Sequence, residues 1–190
     1  DRGKWIQTPV TVEGVSASAF GWEFGTYSGE SIIVQHQGKY GLINKEGEIV
    51  VDPKYDYIEC TDNPELFKTT LSKWKGVVNS KGEIVLRNEY LDIQSICEDI
   101  IVARRKDGMY GCFNIRGEQI IPFEYDEIRS FVEGRARIRY KGRFGFIDKS
   151  GEIIVPPFYD EVENFVDNCS LVTVKGKKAF VSLNGDWIAS

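Results

Sequence analysis

A chain of 190 residues with 42% apolar and 28% charged side chains has an ordinary globular composition and enough length to bury a core. Its formal net charge of −5 argues against a general nucleic-acid binder, and no apolar run approaches the roughly 20 residues that a membrane helix needs. The sequence opens on Asp1 rather than Met, which reads as a processed or trimmed product with any targeting segment out of view.

Residues 1–30 read as a worn leading unit, a degenerate cap. Trp5 stands 35 residues before Tyr40 and Phe20 stands 35 before Tyr55, in phase with the later units but without their glycines. The aromatic, Gly-rich stretch from Phe20 through Trp22 to Tyr27 is read either as a capping strand or as an exposed aromatic surface.

From residue 31 one phrase recurs every 34 or 35 residues. It reads GLINKEGEIVVDPKYDYI from Gly41, GVVNSKGEIVLRNEYLDI from Gly76, GCFNIRGEQIIPFEYDEI from Gly111, and FGFIDKSGEIIVPPFYDEV from Phe144. This predicts five units, near 31–65, 66–99, 100–134, 135–168 and 169–190, each of three short strands.

The first strand of a unit alternates, most clearly where Ala136, Ile138 and Tyr140 share one face and Arg135, Arg137 and Arg139 the other. A tight hairpin comes next at Gln37-Gly38, Asp107-Gly108, Lys141-Gly142 and Lys175-Gly176, with Asp107-Gly108 the strongest two-residue signal; Ser72-Lys73 lacks the glycine. The second strand carries an aromatic-Gly pair at Gly41, Gly111 and Gly145, and Gly76 holds the same place. A recurrent glycine inside a strand points to close approach by a neighbouring chain.

That strand ends in Asn44-x-x-Gly47, Asn79-x-x-Gly82, Asn114-x-x-Gly117, Asp148-x-x-Gly151 and Ser182-x-x-Gly185, the pattern of a type I turn with a G1 bulge. The third strand is continuous and β-branched, as in Glu48-Ile-Val-Val, which suits burial on both faces, with Pro53, Pro122, Pro156 and Pro157 ending it. Tyr55, Tyr90, Tyr125 and Tyr159, each followed by an acid within two residues, mark corners leading to the next unit.

An aromatic-Gly pair followed by Ile/Leu-Asn/Asp-x-x-Gly-Glu and Pro-x-Tyr-Asp-Glu-Ile resembles the bacterial WG-repeat family, also called KWG repeats, over about residues 31–190. Two units depart from the pattern: one has Trp74-Lys75-Gly76, the last Lys178-Ala179. The resemblance implies an all-β repeat protein without a known catalytic activity of its own, and it supplies no catalytic residues. The expected fold is all-β, with tandem three-stranded antiparallel units in an open solenoid-like array; the alternative is a closed propeller-like ring.

Four features bear on chemistry. Cys60, Cys97, Cys112 and Cys169 form no C-x-x-C pair, and with His36 as the one histidine they favour buried free thiols over a zinc site, although an even count permits disulfides. His36 reads as a surface histidine, with no nucleophile elbow, P-loop or H-E-x-x-H motif in the chain. The corner acids Asp56, Asp126, Asp160, Glu127 and Glu161 read either as repeated acids for a cation or as corner caps. Arg135, Arg137, Arg139, Lys141 and Arg143 form a basic stripe that either meets an acidic partner or lies as a solvated face paired to nearby glutamates.

The function expected from these features is a non-catalytic scaffold for a protein or peptide partner, without cofactor or metal. The alternative is a carbohydrate-binding module using exposed aromatics Trp22, Trp74 and Trp187; an enzyme is the least favoured.

Overall fold

A computed structural model describes residues 11–12, 15–16, 22–166 and 168–189. Trp5 and Phe20, and with them the expected phase of a leading unit, lie outside the described residues, as does the side chain of Trp22. Every described element is a strand, and no helix among these residues is long and apolar enough to cross a membrane. The chain divides into two compact units, Asp1–Asp92 and Ile93–Ser190.

Beyond a short antiparallel pair, Thr11–Val12 with Val15–Ser16, the strands form five four-stranded antiparallel sheets in simple up-and-down order. Sheet I comprises Trp22–Ser28, Ser31–His36, Lys39–Asn44 and Ile49–Tyr55. Sheet II comprises Tyr57–Cys60, Leu66–Leu71, Trp74–Asn79 and Ile84–Tyr90. Sheet III comprises Asp92–Cys97, Ile100–Arg104, Tyr110–Asn114 and Gln119–Tyr125. Sheet IV comprises Glu127–Ile128, Arg135–Tyr140, Arg143–Asp148 and Ile153–Tyr159, and sheet V comprises Glu161–Val162, Cys169–Val174, Lys177–Ser182 and Trp187–Ala189.

The three expected strands of each unit are present, and the corner adds a fourth. After the corner tyrosine a single residue breaks the strand, and the chain re-enters as the first strand of the next sheet. The apolar residue just beyond the corner explains this: Ile58, Ile93, Ile128 and Val162 are all buried, and fixing them in the core aligns the backbone beside the next strand, as in the Ile58–Thr69 and Ile128–Ile138 pairings.

The turn signals fold as their chemistry requires. Asn44 Oδ1 accepts the Glu48 N–H at 2.8 Å, the Gly47 N–H bonds back to the Asn44 carbonyl at 3.0 Å, and Gly47 sits at φ +88°. Asn79, Asn114, Asp148 and Ser182 repeat this arrangement with Glu83, Glu118, Glu152 and Asp186. Gln37-Gly38, Lys141-Gly142 and Lys175-Gly176 have left-handed φ at both positions, the two-residue turn that matches strand twist. Asp107-Gly108 differs from expectation. Only Gly108 is left-handed, and the bond from the Gly108 N–H to the Arg105 carbonyl makes a longer, bulged turn. Ser72-Lys73 does form a hairpin without a glycine, with Ser72 at φ +58° and Leu71 opposite Trp74.

The strand glycines are needed for close approach. A Cβ on Gly76 would lie 2.7 Å from the Leu86 carbonyl oxygen and one on Gly111 2.9 Å from that of Ile121; Gly41 and Gly145 meet the Val51 and Val155 carbonyls in the same way. At all four sites the register to the last strand shifts, so the bulged strand leans over its neighbour.

Two expectations for that last strand are corrected. It is an edge strand, and the first residue of its β-branched run is open to solvent: Ile49, Ile84 and Ile153 are 46, 58 and 49% exposed. The prolines do not end it either. The strands run through Pro53, Pro122, Pro156 and Pro157 to the tyrosine, because the outer edge of a sheet needs no N–H donor there.

Within each unit, sheets stack face on face. In the first unit Ile33, Leu42, Val51 and Tyr55 of sheet I meet Ile58, Phe67 and Val78 of sheet II. In the second, Val102, Cys112 and Ile121 of sheet III meet Ile128, Ile138 and Ile147 of sheet IV, whose opposite face (Phe146, Val155, Tyr159) meets Val172, Ala179 and Val181 of sheet V. Alternation along each strand supplies both faces of sheet IV.

Candidate functional site

Of the basic stripe, Arg135, Arg137 and Arg139 lie on the second strand of sheet IV, on the face turned to sheet V. The expected run of five is broken there, because Lys141 sits in the hairpin and Arg143 opens the third strand opposite Tyr140. Ala136 and Ile138 point into the core with sheet III, so Arg135 and Arg137 point the other way and are half-buried. Arg135 Nε donates to the carbonyl of Leu183, in the turn between the last two strands of sheet V, at 2.9 Å, and its Nη1 donates to the Glu133 carbonyl at 3.1 Å. Arg137 Nη1 reaches the Val162 carbonyl at 3.3 Å, Nη2 stands 3.5 Å from Glu127, and the guanidinium lies over the Phe144 ring at 5.6 Å. Glu127 also pairs with Arg129, and Arg143 pairs with Asp160. Three of the five cations therefore serve contacts inside the molecule. Arg139 and Lys141 remain exposed, Lys141 with its ammonium 5.0 Å from the Tyr140 ring centre.

The corner acids are clasps between consecutive sheets. Asp56 accepts the Ser72 backbone N–H and the Lys39 ammonium, both at 2.5 Å, linking the end of sheet I to the hairpin of sheet II. Asp160 accepts the Lys175 N–H at 2.6 Å, Asp126 accepts the Gly142 N–H at 2.9 Å, and each aspartate's own N–H donates into the adjoining strand. The Lys39 ammonium and the Ser72 N–H hold the Asp56 carboxyl below the usual carboxylate range. Leu91 takes this place after Tyr90; in the hairpin of sheet III, Asp107 accepts the Met109 N–H at 3.1 Å. Glu127 is half-buried against the two arginines and Glu161 is exposed. Sequence reasoning missed the cation of the clasp. Its signal was the Lys or Arg directly before the aromatic-Gly pair, at Lys39 and Arg143.

The corner tyrosines Tyr55, Tyr90, Tyr125 and Tyr159 are buried, and burial raises their hydroxyl pKa values, that of Tyr90 to about 12. All four cysteines are free thiols. Cys112 is fully buried and burial pushes its thiol far up, the state of a packed small hydrophobe rather than an activated nucleophile; Cys60, Cys97 and Cys169 are half-buried. Among the described residues no group of three His, Cys, Asp or Glu side chains could hold a metal ion.

Two of the three tryptophans proposed as ligand contacts have described side chains. Trp74 is half-buried, with Lys73 over its ring at 5.2 Å. Trp187 is 59% exposed and packs 6.3 Å from Tyr159, which in turn touches the exposed Phe158 at 5.0 Å. Trp187 opens the last strand of sheet V, the position that Ile49, Ile84 and Ile153 hold in their sheets. Sequence reasoning also missed this exposed row, because a β-branched run alone does not tell a covered strand from an edge.

A family model described as "WG containing repeat" matches residues 40–63, 110–143 and 144–177. The chain carries WG repeats. Each matched WG segment begins on the aromatic of the aromatic-Gly pair. The unmatched stretch 64–109 contains the departures at Lys75 and Leu91. The comparison with curated proteins gives no match. Among solved structures, Hsv2 of Kluyveromyces lactis is 11% identical over 84% of this chain and 59% of its own, at a TM-score of 0.44. BamB from Moraxella catarrhalis is 12% identical over 90% and 67%, at 0.44, and the computationally designed Ika8 protein is 12% identical over 85% and 58%, at 0.44. The WG-repeat chain thus spans under three-fifths of the length of Ika8 and of Hsv2, and at these TM-scores the likenesses carry no argument about curvature or binding.

Proposed function

We propose that this WG-repeat chain is a non-catalytic scaffold that binds a protein or peptide along the outer edges of its sheets. The observation that carries this reading is the exposed row: Ile49, Ile84, Ile153 and Trp187 place a large apolar side chain at the same edge position in four of five sheets. Single exposed apolar residues are normal, but one repeated at the same place on the edge strands of both units offers anchors beside unpaired backbone. Arg139 and Lys141 are the cations of the stripe left to favour an acidic partner. In this reading residues 31–190 are the binding units and residues 1–30 a cap.

The test is selection of peptides from a displayed random library on the chain, followed by affinity measurements on variants. Ile153→Glu and Trp187→Glu should each weaken a selected peptide roughly tenfold or more, and Arg139→Glu/Lys141→Glu should make the remaining binding less salt-sensitive. Unchanged affinity in both edge variants contradicts the reading. A second reading, glycan stacking, is favoured by the exposed Trp187 and Phe158 flanking Tyr159. A glycan array on which Trp187→Ala and Phe158→Ala abolish a specific signal would establish it in place of the first.

A further inference from the structure

Cations gather on one rim of the second unit. Lys106, Arg139, Lys141, Lys175, Lys177 and Lys178 lie in or beside the hairpins that join the second and third strands of sheets III, IV and V. All six are exposed, and none of them forms an ion pair among the described residues. The corner clasps set these hairpins in a row. Tyr125 pairs with Tyr110, which places Asp126 beside the sheet III hairpin, and Asp126 accepts the Gly142 N–H of the sheet IV hairpin at 2.9 Å. Tyr159 pairs with Phe144 in the same way, and Asp160 accepts the Lys175 N–H of the sheet V hairpin at 2.6 Å. Overall composition does not account for this rim, since the chain carries a net charge of −5. At the other ends of the same strands the turns carry Glu118, Glu152 and Asp186. Of the hairpin cations in the first unit, Lys39 is held by Asp56 and Lys75 by the Thr70 hydroxyl.

We propose that this rim binds an extended acidic peptide segment whose carboxylates are spaced to meet the three hairpins. The inference rests on the scaffold reading and names the chemistry of its partner. Stacked sheets lie about 10 Å apart, so three hairpins in a row span about 20 Å. A polyproline II segment returns to one face every three residues, a rise of about 9 Å, and so brings an acid at every third position to successive hairpins. Two features favour spaced carboxylates over a phosphate backbone. Asp126, Asp160 and the exposed Glu161 interrupt the cations and repel a continuous line of negative charge. The rim aromatics Tyr110 and Tyr140 are half-buried with Arg104 and Lys141 already over their rings, whereas bases are held by stacking on open rings.

The test is fluorescence anisotropy of a labelled peptide of about ten residues, with glutamate at every third position between alanines and prolines, titrated with the full chain. It is run at about 0.1 M salt, where screening confines the effect to nearby charges. Saturable binding is expected, and it should weaken as salt is raised. Lys106→Glu/Lys178→Glu, in the first and last hairpins of the row, should raise the dissociation constant about twentyfold with an unchanged thermal melt, and Lys106→Ala/Lys178→Ala about fivefold. Lys81→Glu/Arg116→Glu, an equal change of charge in the Asn79 and Asn114 turns, should leave it within about twofold. A peptide that does not bind, a control pair that weakens it as much as the rim pair, or an oligothymidylate of equal charge that binds more tightly overturns the proposal. If the glutamate peptide fails while a library-selected peptide binds through Ile153 and Trp187, the rim falls and the scaffold stands. If neither binds, both fall.

Discussion

Sheets IV and V are written in one frame, offset by 34 residues, and their equivalent faces meet different fates. In sheet IV that face carries Arg135, Arg137 and Phe146 and is closed by sheet V, with two guanidinium groups bonding to carbonyls of the next sheet. In sheet V the same positions are Cys169, Leu171 and Phe180, and Phe180 is open. The pattern of a strand says which side chains share a face. Only the neighbouring sheet says whether that face is a surface or a seam.

The contrast can be broken most severely at the glycines. Gly145→Ala drives a Cβ into the Val155 carbonyl and the Pro156-Pro157 backbone, so it should cost at least about 3 kcal/mol in urea unfolding. Gly142→Ala, in a hairpin with open space and a left-handed φ, should cost only about 1 kcal/mol. Comparable losses at the two sites would show that close approach is not what the strand glycine provides.

A smaller effect separates the arginines. Arg137→Ala strips a cover from Phe144 and leaves the Val162 carbonyl and Glu127 short of a donor, for about 1–2 kcal/mol. Arg139→Ala should stay within about 0.5 kcal/mol. Equal losses would return the stripe to the status of a uniform surface.

At the clasp, Asp160→Ala should cost about 1 kcal/mol and speed amide exchange at Lys175, whose N–H then lacks its acceptor. Protection unchanged at Lys175 would remove the clasp from the account of inter-sheet joining.

The smallest effect concerns acid. At Asp148 burial opposes ionisation, but the Ser150 hydroxyl and the Glu152 and Ser150 N–H groups outweigh it and hold the carboxyl below its ordinary value. A depressed folded pKa stabilises fully above the unfolded value of about 3.9 and is lost as pH falls through the folded pKa. Asp148→Asn adopts the residue found at positions 44, 79 and 114. It should leave neutral-pH stability within about 0.5 kcal/mol and remove this part of the acid destabilisation. A melt with the same acid limb as the wild type would contradict that assignment.

The local grammar was legible in the residues. The Asn-x-x-Gly turns at 44, 79 and 114, the strand glycines and the Lys141-Gly142 hairpin depend on contacts within one unit, which spacing encodes directly. The fourth strand was not legible, because the two to six residues after each corner look like connection until a neighbouring edge pairs with them. The exposure of Ile49, Ile84 and Ile153 was hidden for a related reason: β-branched runs suit a buried strand and an apolar edge equally. The stripe was read as a surface because alternation placed Arg135 and Arg137 opposite the core of sheet III, while the cover from sheet V comes from residues more than 20 positions later.

The placement of that stripe is the central claim, and arginine-selective dicarbonyl labelling of the native chain, read residue by residue by mass spectrometry, tests it directly. Arg139 should be modified quickly, with Arg135 and Arg137 protected until the protein unfolds. Equal, rapid modification of all three would contradict a seam between sheets IV and V and make the stripe a surface.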